Sequence, residues 1–255
     1  MNKIIAIYGP TTSNKLGLAY NLSKYVWGKY EIDPEVVNTD PIKAYRGFDV
    51  SQSYPNDNFK EKVETHLFNS FPPNEEIDLF DFKQAVDERV SEIQSRGNLP
   101  ILVGGSAMYL LAILQNWQKE EKKHSKNIPD NILIFGLTVS KPVMRRAVEK
   151  NVNEMFNQGL YAEFKRLFEQ IEEGSVNREI LEKVAGYQQF LEMARVSKKS
   201  PLELNKQDLN KIKKWLIKDI VDYGYHQTLN YKKFPGIYKI REFNQARQIV
   251  DKFLK

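Results

Sequence analysis

Residues 3–26 constrain this chain more than any other stretch. Lys3-Ile4-Ile5-Ala6-Ile7-Tyr8 is a short apolar run rich in β-branched residues, the pattern of a buried strand. It runs into the polar loop Gly9-Pro10-Thr11-Thr12-Ser13-Asn14-Lys15-Leu16. A helical pattern follows at once, with Leu18, Leu22, Tyr25 and Val26 on one face. A strand, a tight loop carrying a lysine, and a helix form the layout of a phosphate-binding loop. Backbone N–H groups and the helix N-terminus cradle anionic oxygens there, and the lysine adds positive charge.

The match to G-x-x-x-x-G-K-[ST] is incomplete. Asn14 stands at the second glycine and Leu16 at the hydroxyl position. Asparagine tolerates left-handed backbone better than most residues, so the loop can keep its shape. Leu16 has no oxygen to offer a cation, so any metal must be held by other groups or more weakly. The same residues also fit an ordinary strand–turn–helix corner with a solvated lysine, and the rest of the chain must decide between the two.

Strand and helix patterns go on alternating. Glu35 to Asp40 reads as a second strand, which puts Asp40 at the carboxyl end of a strand beside the loop. Open parallel sheets bind ligands at that edge; a solvated turn aspartate before Pro41 is the bland alternative. Residues 41–80 are turn-rich. Phe82 to Ile93 predicts a helix, stopped by Arg96-Gly97. Leu99 to Val103 is a third strand. It ends in Gly104-Gly105-Ser106 ahead of a helix from Met108 to Leu114, a junction that lets backbone approach a ligand or simply packs strand on helix. A charged loop from Lys119 to Asp130 carries Lys119, Lys122, Lys123 and Lys126, and Ile132 to Leu137 is a fourth strand. Helices are expected at 141–157, 160–172, 178–196 and 202–231. The fold class is therefore α/β: a parallel sheet flanked by helices over residues 1–140, with a helical C-terminal region, 141–255, packed on it in one compact unit.

Taken in order, several stretches resemble the tRNA dimethylallyltransferases (isopentenyltransferases), whose fold is P-loop NTPase-like. Gly9 to Lys15 resembles the family's phosphate loop. Asp40-Pro41-Ile42-Lys43-Ala44-Tyr45-Arg46-Gly47 resembles its Asp-Ser-x-Gln-x-Tyr-Arg-Gly motif. Leu102-Val103-Gly104-Gly105-Ser106-Ala107-Met108-Tyr109-Leu110 resembles its Leu-Val-Gly-Gly-Thr-Gly-x-Tyr-Leu motif. Met155 to Leu160, Ala185-Gly186-Tyr187, Tyr223 to Gln227 and Pro235-Gly236-Ile237 extend the likeness over nearly the whole chain. There are departures. Besides Leu16, Lys43 replaces the glutamine that reads the adenine, Ala107 replaces a glycine, and Val221 replaces an arginine that faces the diphosphate. Tyr225 and His226 replace two further basic residues. The family's helical tRNA-gripping insert should fall between Trp117 and Ile132, where only the lysine-rich loop is present.

The resemblance implies transfer of a dimethylallyl group from dimethylallyl diphosphate to N6 of an adenine in tRNA. Two alternatives stay open: a nucleotide- or RNA-binding relative without catalysis, and an adenylate isopentenyltransferase acting on free AMP. It further implies Asp40, Lys15 and Ser106 as catalytic groups. Gly9, Thr11, Thr12, Ser13, Asn14, Lys15 and Leu16 would form the diphosphate cradle. Asp40, Pro41, Ile42, Lys43, Arg46, Ser106 and Gln227 would face the tRNA adenine, and Mg²⁺ is weakly implied as cofactor. Composition agrees with this. A net charge of +5 suits an anionic partner such as nucleotide or RNA. The chain has no cysteine, which excludes a disulfide framework and thiolate metal sites. It has no apolar run long enough to span a bilayer, and its N-terminus shows no signal-peptide pattern. A cytoplasmic monomer without membrane contact is expected.

Overall fold

The computed structural model of the protein describes residues 2–52, 54–121 and 124–255. β1 (Ile4–Tyr8) takes the middle of the sheet because its side chains find apolar cover on both faces. Ile5 and Ile7 face one layer, Ala6 and Tyr8 the other, and all four are fully buried. Around it lie β2 (Pro34–Asn38), β3 (Thr65–His66), β4 (Leu99–Gly104), β5 (Ile132–Leu137) and β6 (Tyr238–Ile240). Among the described residues they form one sheet in the order β3-β2-β4-β1-β5-β6, with every neighbouring pair parallel. The carboxyl ends of β2, β4 and β1 therefore sit side by side.

The helices are α1 (Lys15–Tyr30), α2 (Asp57–Lys60), α3 (Leu79–Ser95), α4 (Ala107–Leu114), α5 (Lys141–Asn157), α6 (Leu160–Glu172), α7 (Arg178–Lys183), α8 (Tyr187–Ser197), α9 (Lys206–Leu229) and α10 (Phe243–Leu254). α1 and α10 cover one face of the sheet through Leu18, Leu22, Val26, Ala246 and Val250. α3 and α4 cover the other through Phe82, Val86, Ile93, Leu110 and Leu114. α5 to α9 build a separate apolar cluster around Phe164, Tyr187 and Phe190, which also takes in Tyr45 and Phe48 from the segment after β2. Buried Glu163 strengthens that tie. Its carboxylate accepts from Val50 N (2.6 Å), Ser51 N (2.9 Å) and the Tyr187 hydroxyl (2.5 Å). The chain leaving the site is thereby fixed to the helical layer, with the buried acceptor oxygens satisfied.

The four long strands and most helices fall where the sequence pattern puts them. Three differences have local causes. The expected helix over 178–196 is broken between α7 and α8: Val184 turns extended (φ -82°, ψ 125°), and Gly186 at φ 103° redirects the chain into α8. β3 and β6 are two- and three-residue edge strands, too short to show a period. Consequently the C-terminal stretch is not wholly helical. Residues 238–240 pair with β5 and extend the sheet, and α10 docks on α1, where Asp251 accepts from Tyr25 (2.6 Å), Tyr30 (2.7 Å) and Lys29 (2.8 Å). No described helix is long and apolar enough to cross a membrane.

Candidate active site

The loop after β1 bends as its sequence requires. Thr12 and Asn14 both take φ 60°, and Asn14 sits left-handed at the N-cap of α1, the conformation that glycine would otherwise supply. Lys15 folds back under the loop and donates to the carbonyls of Gly9 and Pro10, each at 2.9 Å. Burial, aided by the nearby Lys43 charge and opposed by Asp40, lowers the Lys15 ammonium to about 7. Thr12 Oγ1, Ser13 Oγ and Thr39 Oγ1 are buried without a hydrogen-bond partner among the described residues. Such hydroxyls are costly to leave unpaired, and each can donate to an anionic oxygen. Gly9, Thr11, Thr12, Ser13, Asn14 and Lys15 lie together on this one loop between β1 and α1. Leu16 does not face it as a ligand. It packs against the apolar layer under α1 and, with Tyr20, Tyr54 and Phe59, lines a neighbouring cavity of about 280 Å³.

Two other strand ends meet this loop. A Cβ added to Gly105 would lie 3.5 Å from the Gly9 carbonyl and 3.7 Å from Lys15 Nζ, so the glycine junction after β4 lies against the phosphate loop. Asp40 follows β2 and opens a 3₁₀ turn over Pro41–Ala44. Asn38, fully buried, holds it in place: Asn38 Oδ1 accepts from Asp40 N (3.0 Å), while Asn38 Nδ2 donates to the carbonyls of Asp40 (2.8 Å) and Leu67 (2.9 Å). The Asp40 charge acts on Lys15 and on Lys43, one turn further along. Burial lowers the Lys43 ammonium, and Asp40 partly restores it. Ser106 stands at the N-cap of α4 without making a capping bond, and it is half-buried at the junction.

The remaining expected adenine-facing residues divide. Arg46 is exposed, its backbone N bonded to the Phe71 carbonyl. Pro41 lies in the 3₁₀ turn, and Ile42 packs on the helical cluster. Gln227 is buried and fully committed inside the protein. Its Oε1 accepts from Thr11 N (2.7 Å), its Nε2 donates to the Gly105 carbonyl (2.8 Å), and its carbonyl accepts from Tyr8 (2.8 Å). It staples α9 to both loops of the site rather than opening onto a ligand. Gly224 completes this docking, since a Cβ there would meet Met144 Sδ at 2.7 Å and Thr11 Cγ2 at 3.1 Å. Gln227→Ala should leave two buried backbone groups unpaired and destabilise the fold by about 1–3 kcal/mol, read by urea unfolding.

The departures at the end of α9 also have a structural account. Val221 is buried in the helical cluster, so its position carries packing and no charge. Tyr225 and His226 are exposed, and Lys141 from α5 places Nζ 5.3 Å from the Tyr225 ring centre. In the lysine-rich loop, Lys119 pairs with Asp78 at 2.9 Å and His124 stacks on Trp117 at 4.5 Å. Lys122 and Lys123 lie outside the described residues.

A divalent cation favours carboxylate and other hard oxygen donors. Leu16 offers none, and Asp40 is the carboxylate whose charge acts on Lys15 and Lys43. Among the described residues, the acid and imidazole groups close enough to share a metal are Glu35, Glu64 and His66, toward the opposite end of β2 from Asp40. Glu35 is already held there by Arg96 (2.7 and 2.9 Å), Asn98 (2.7 Å) and His66 (2.6 Å). The oxygen donors beside the phosphate loop are the Asp40 carboxylate and the hydroxyls of Thr12, Ser13 and Thr39, with none at residue 16 to add to them.

A tRNA dimethylallyltransferase of Oenococcus oeni is 25% identical over 244 residues, covering 92% of this chain and 87% of the relative. One from Roseiflexus castenholzii is 29% identical over 66% of this chain, and the matched stretch is 47% of that longer protein. The crystal structure of a tRNA isopentenylpyrophosphate transferase from Bacillus halodurans superposes with a TM-score of 0.81 over 100% of this chain and 96% of its own, at 18% identity. That likeness establishes the P-loop NTPase-like fold. The sequence profile of the IPP transferase family matches residues 43–126 and 114–233. With most of its length matched, the chain belongs to the IPP transferase family.

Proposed function

We propose that this protein transfers a dimethylallyl group from dimethylallyl diphosphate to N6 of an adenine in tRNA. The observation that carries the reading is the meeting of three strand ends: the Lys15 loop, Asp40 and the Gly104-Gly105 junction, with unpartnered hydroxyls of Thr12, Ser13 and Thr39 among them. The diphosphate lies on the loop, its oxygens accepting from those hydroxyls, from backbone N–H groups and from Lys15. The adenine N6 attacks C1 of the prenyl group. The C1–O bond breaks, and its electron pair leaves with the diphosphate, where Lys15 stabilises the developing charge. Asp40 takes the proton released from N6. Ser106, at the mouth of the α4 turn, donates a hydrogen bond beside the target nucleotide.

The test is incubation with labelled dimethylallyl diphosphate and either bulk tRNA or AMP. Label is expected in tRNA. Label in AMP alone would make this an adenylate prenyltransferase, and retention of both substrates without transfer would make it a binding protein.

A further inference from the structure

We infer that Tyr225, with Lys141 over its ring, is a stacking platform for a tRNA nucleotide that neighbours the target adenine. This rests on the reading of the protein as one that acts on tRNA. Three elements meet at the place concerned. The phosphate loop starts against the end of β5, since a Cβ on Gly9 would stand 3.1 Å from Leu137 Cβ. Lys141 opens α5 four residues after Leu137. α9 crosses both. A Cβ on Gly224 would meet Met144 Sδ of α5 at 2.7 Å and Thr11 Cγ2 of the loop at 3.1 Å, and Gln227 Oε1 accepts from Thr11 N at 2.7 Å. Tyr225 therefore sits between two residues that are fixed on the loop, and its side chain leaves the helix about 100° round from Gly224.

That direction is outward. Tyr225 is 47% exposed, and Leu229, one turn further on the same face, is 48% exposed. Large apolar groups left open beside a ligand cleft point to a partner. Charge says which kind. On α5, Arg145 is matched by Glu149 at 2.9 Å and Lys150 by Glu154 at 3.8 Å. Lys141 instead rests with Nζ 5.3 Å from the Tyr225 ring centre, a contact that leaves its charge free to meet an anion. His226 adds a second exposed ring, 6.5 Å from that of Tyr225. Lys232 and Lys233 are exposed on the 3₁₀ turn Asn230–Lys233, which the Tyr231 hydroxyl fastens to the Leu137 carbonyl of β5. Asp222, the carboxylate one turn before Tyr225, faces Lys218 at 3.8 Å.

An open aromatic ring among ammonium groups, beside a phosphate site, suits single-stranded RNA. A base stacks on the ring and the cations take the flanking phosphates. Diphosphate alone has no flat face to offer the ring. The target adenine must lie in the cleft for N6 to meet C1, so the base that reaches the rim is a neighbour of it. When the adenine leaves the stack, its neighbour loses a stacking partner. Tyr225 takes that partner's place.

The experiment titrates the full-length protein with bulk tRNA by fluorescence anisotropy, and with inorganic diphosphate by calorimetry as the control. Tyr225→Ala should weaken tRNA binding by roughly 5–100-fold, the range for one stacked base, and leave diphosphate binding unchanged. Tyr225→Trp should keep the affinity, whereas Tyr225→Leu, with apolar bulk but no aromatic face, should not. Lys141→Gln should lower the salt dependence of tRNA binding by about one phosphate contact. Thermal melts establish that each variant is folded. Equal tRNA binding by Tyr225→Ala, or full affinity in Tyr225→Leu, would overturn the inference. So would an equal loss of diphosphate affinity in Tyr225→Ala, because the ring would then serve only to hold the loop. The functional reading fails by a different result: the unchanged protein binds tRNA but passes no label to it from dimethylallyl diphosphate.

Discussion

Replacing Asp40 by asparagine should lower prenyl transfer to tRNA by roughly 10²–10⁴-fold, the usual contribution of a positioned general base, while diphosphate binds at least as tightly as before. The two halves of this expectation have different origins. The carboxylate is the group that receives the proton from N6, and an amide of the same shape cannot. Its position is set by the backbone bonds to Asn38, which asparagine keeps, so the turn carrying Lys43 is undisturbed. Asp40 is also the negative charge that moderates Lys15 and Lys43. Removing it leaves the cleft more positive, and a polyanion does not lose by that. Single-turnover transfer of labelled prenyl groups measures the rate, and calorimetry with inorganic diphosphate measures the affinity. Equal rates for the two proteins would take Asp40 out of the proton transfer.

What was legible in the sequence was local. The phosphate loop is eight consecutive residues, and its shape depends on Asn14 and Lys15, which announce themselves by type. Asp40 and Gly105 could be placed on the same edge because each ends an apolar strand, and a parallel sheet brings strand ends together. The groups that hold the site were not legible. The resemblance names Gln227 as adenine-facing, but its reach to Thr11 across more than two hundred residues, from a buried place on a helix, carries no periodic signal. Asn38 reads as one more strand residue until its two bonds to Asp40 are seen. Val221 looked like a lost ligand, and the burial of that position in the helical cluster shows it doing the work of packing. The break at Gly186 and the short strand Tyr238–Ile240 escaped for a simpler reason: three residues are too few to show a period.

Lys15→Met should weaken inorganic diphosphate binding by roughly 10–100-fold and reduce prenyl transfer further, since the lost charge also stabilises the leaving group. The pH dependence distinguishes this from a general disturbance. In the empty cleft the Lys15 ammonium titrates at about 7, against 10.5 for an exposed lysine, chiefly because it is buried. Below about 7 it is charged and ready for an anion; above, it must regain a proton to bind one. Affinity of the unchanged protein should therefore decline as pH rises from 6 to 9, and Lys15→Met should lose that part of the slope. Stability runs the other way. Because the folded pKa lies below the unfolded one, the unfolded chain holds the extra proton between about 7 and 10.5, and stability rises with pH across that window. Below it, the folded protein bears the full cost of a buried charge. The methionine variant should accordingly melt at a higher temperature than the unchanged protein at pH 6, with the gap narrowing by pH 9. A variant that bound diphosphate normally would take Lys15 out of the anion site, and one that melted lower at pH 6 than at pH 9 relative to the unchanged protein would show that Lys15 is not a strained cation.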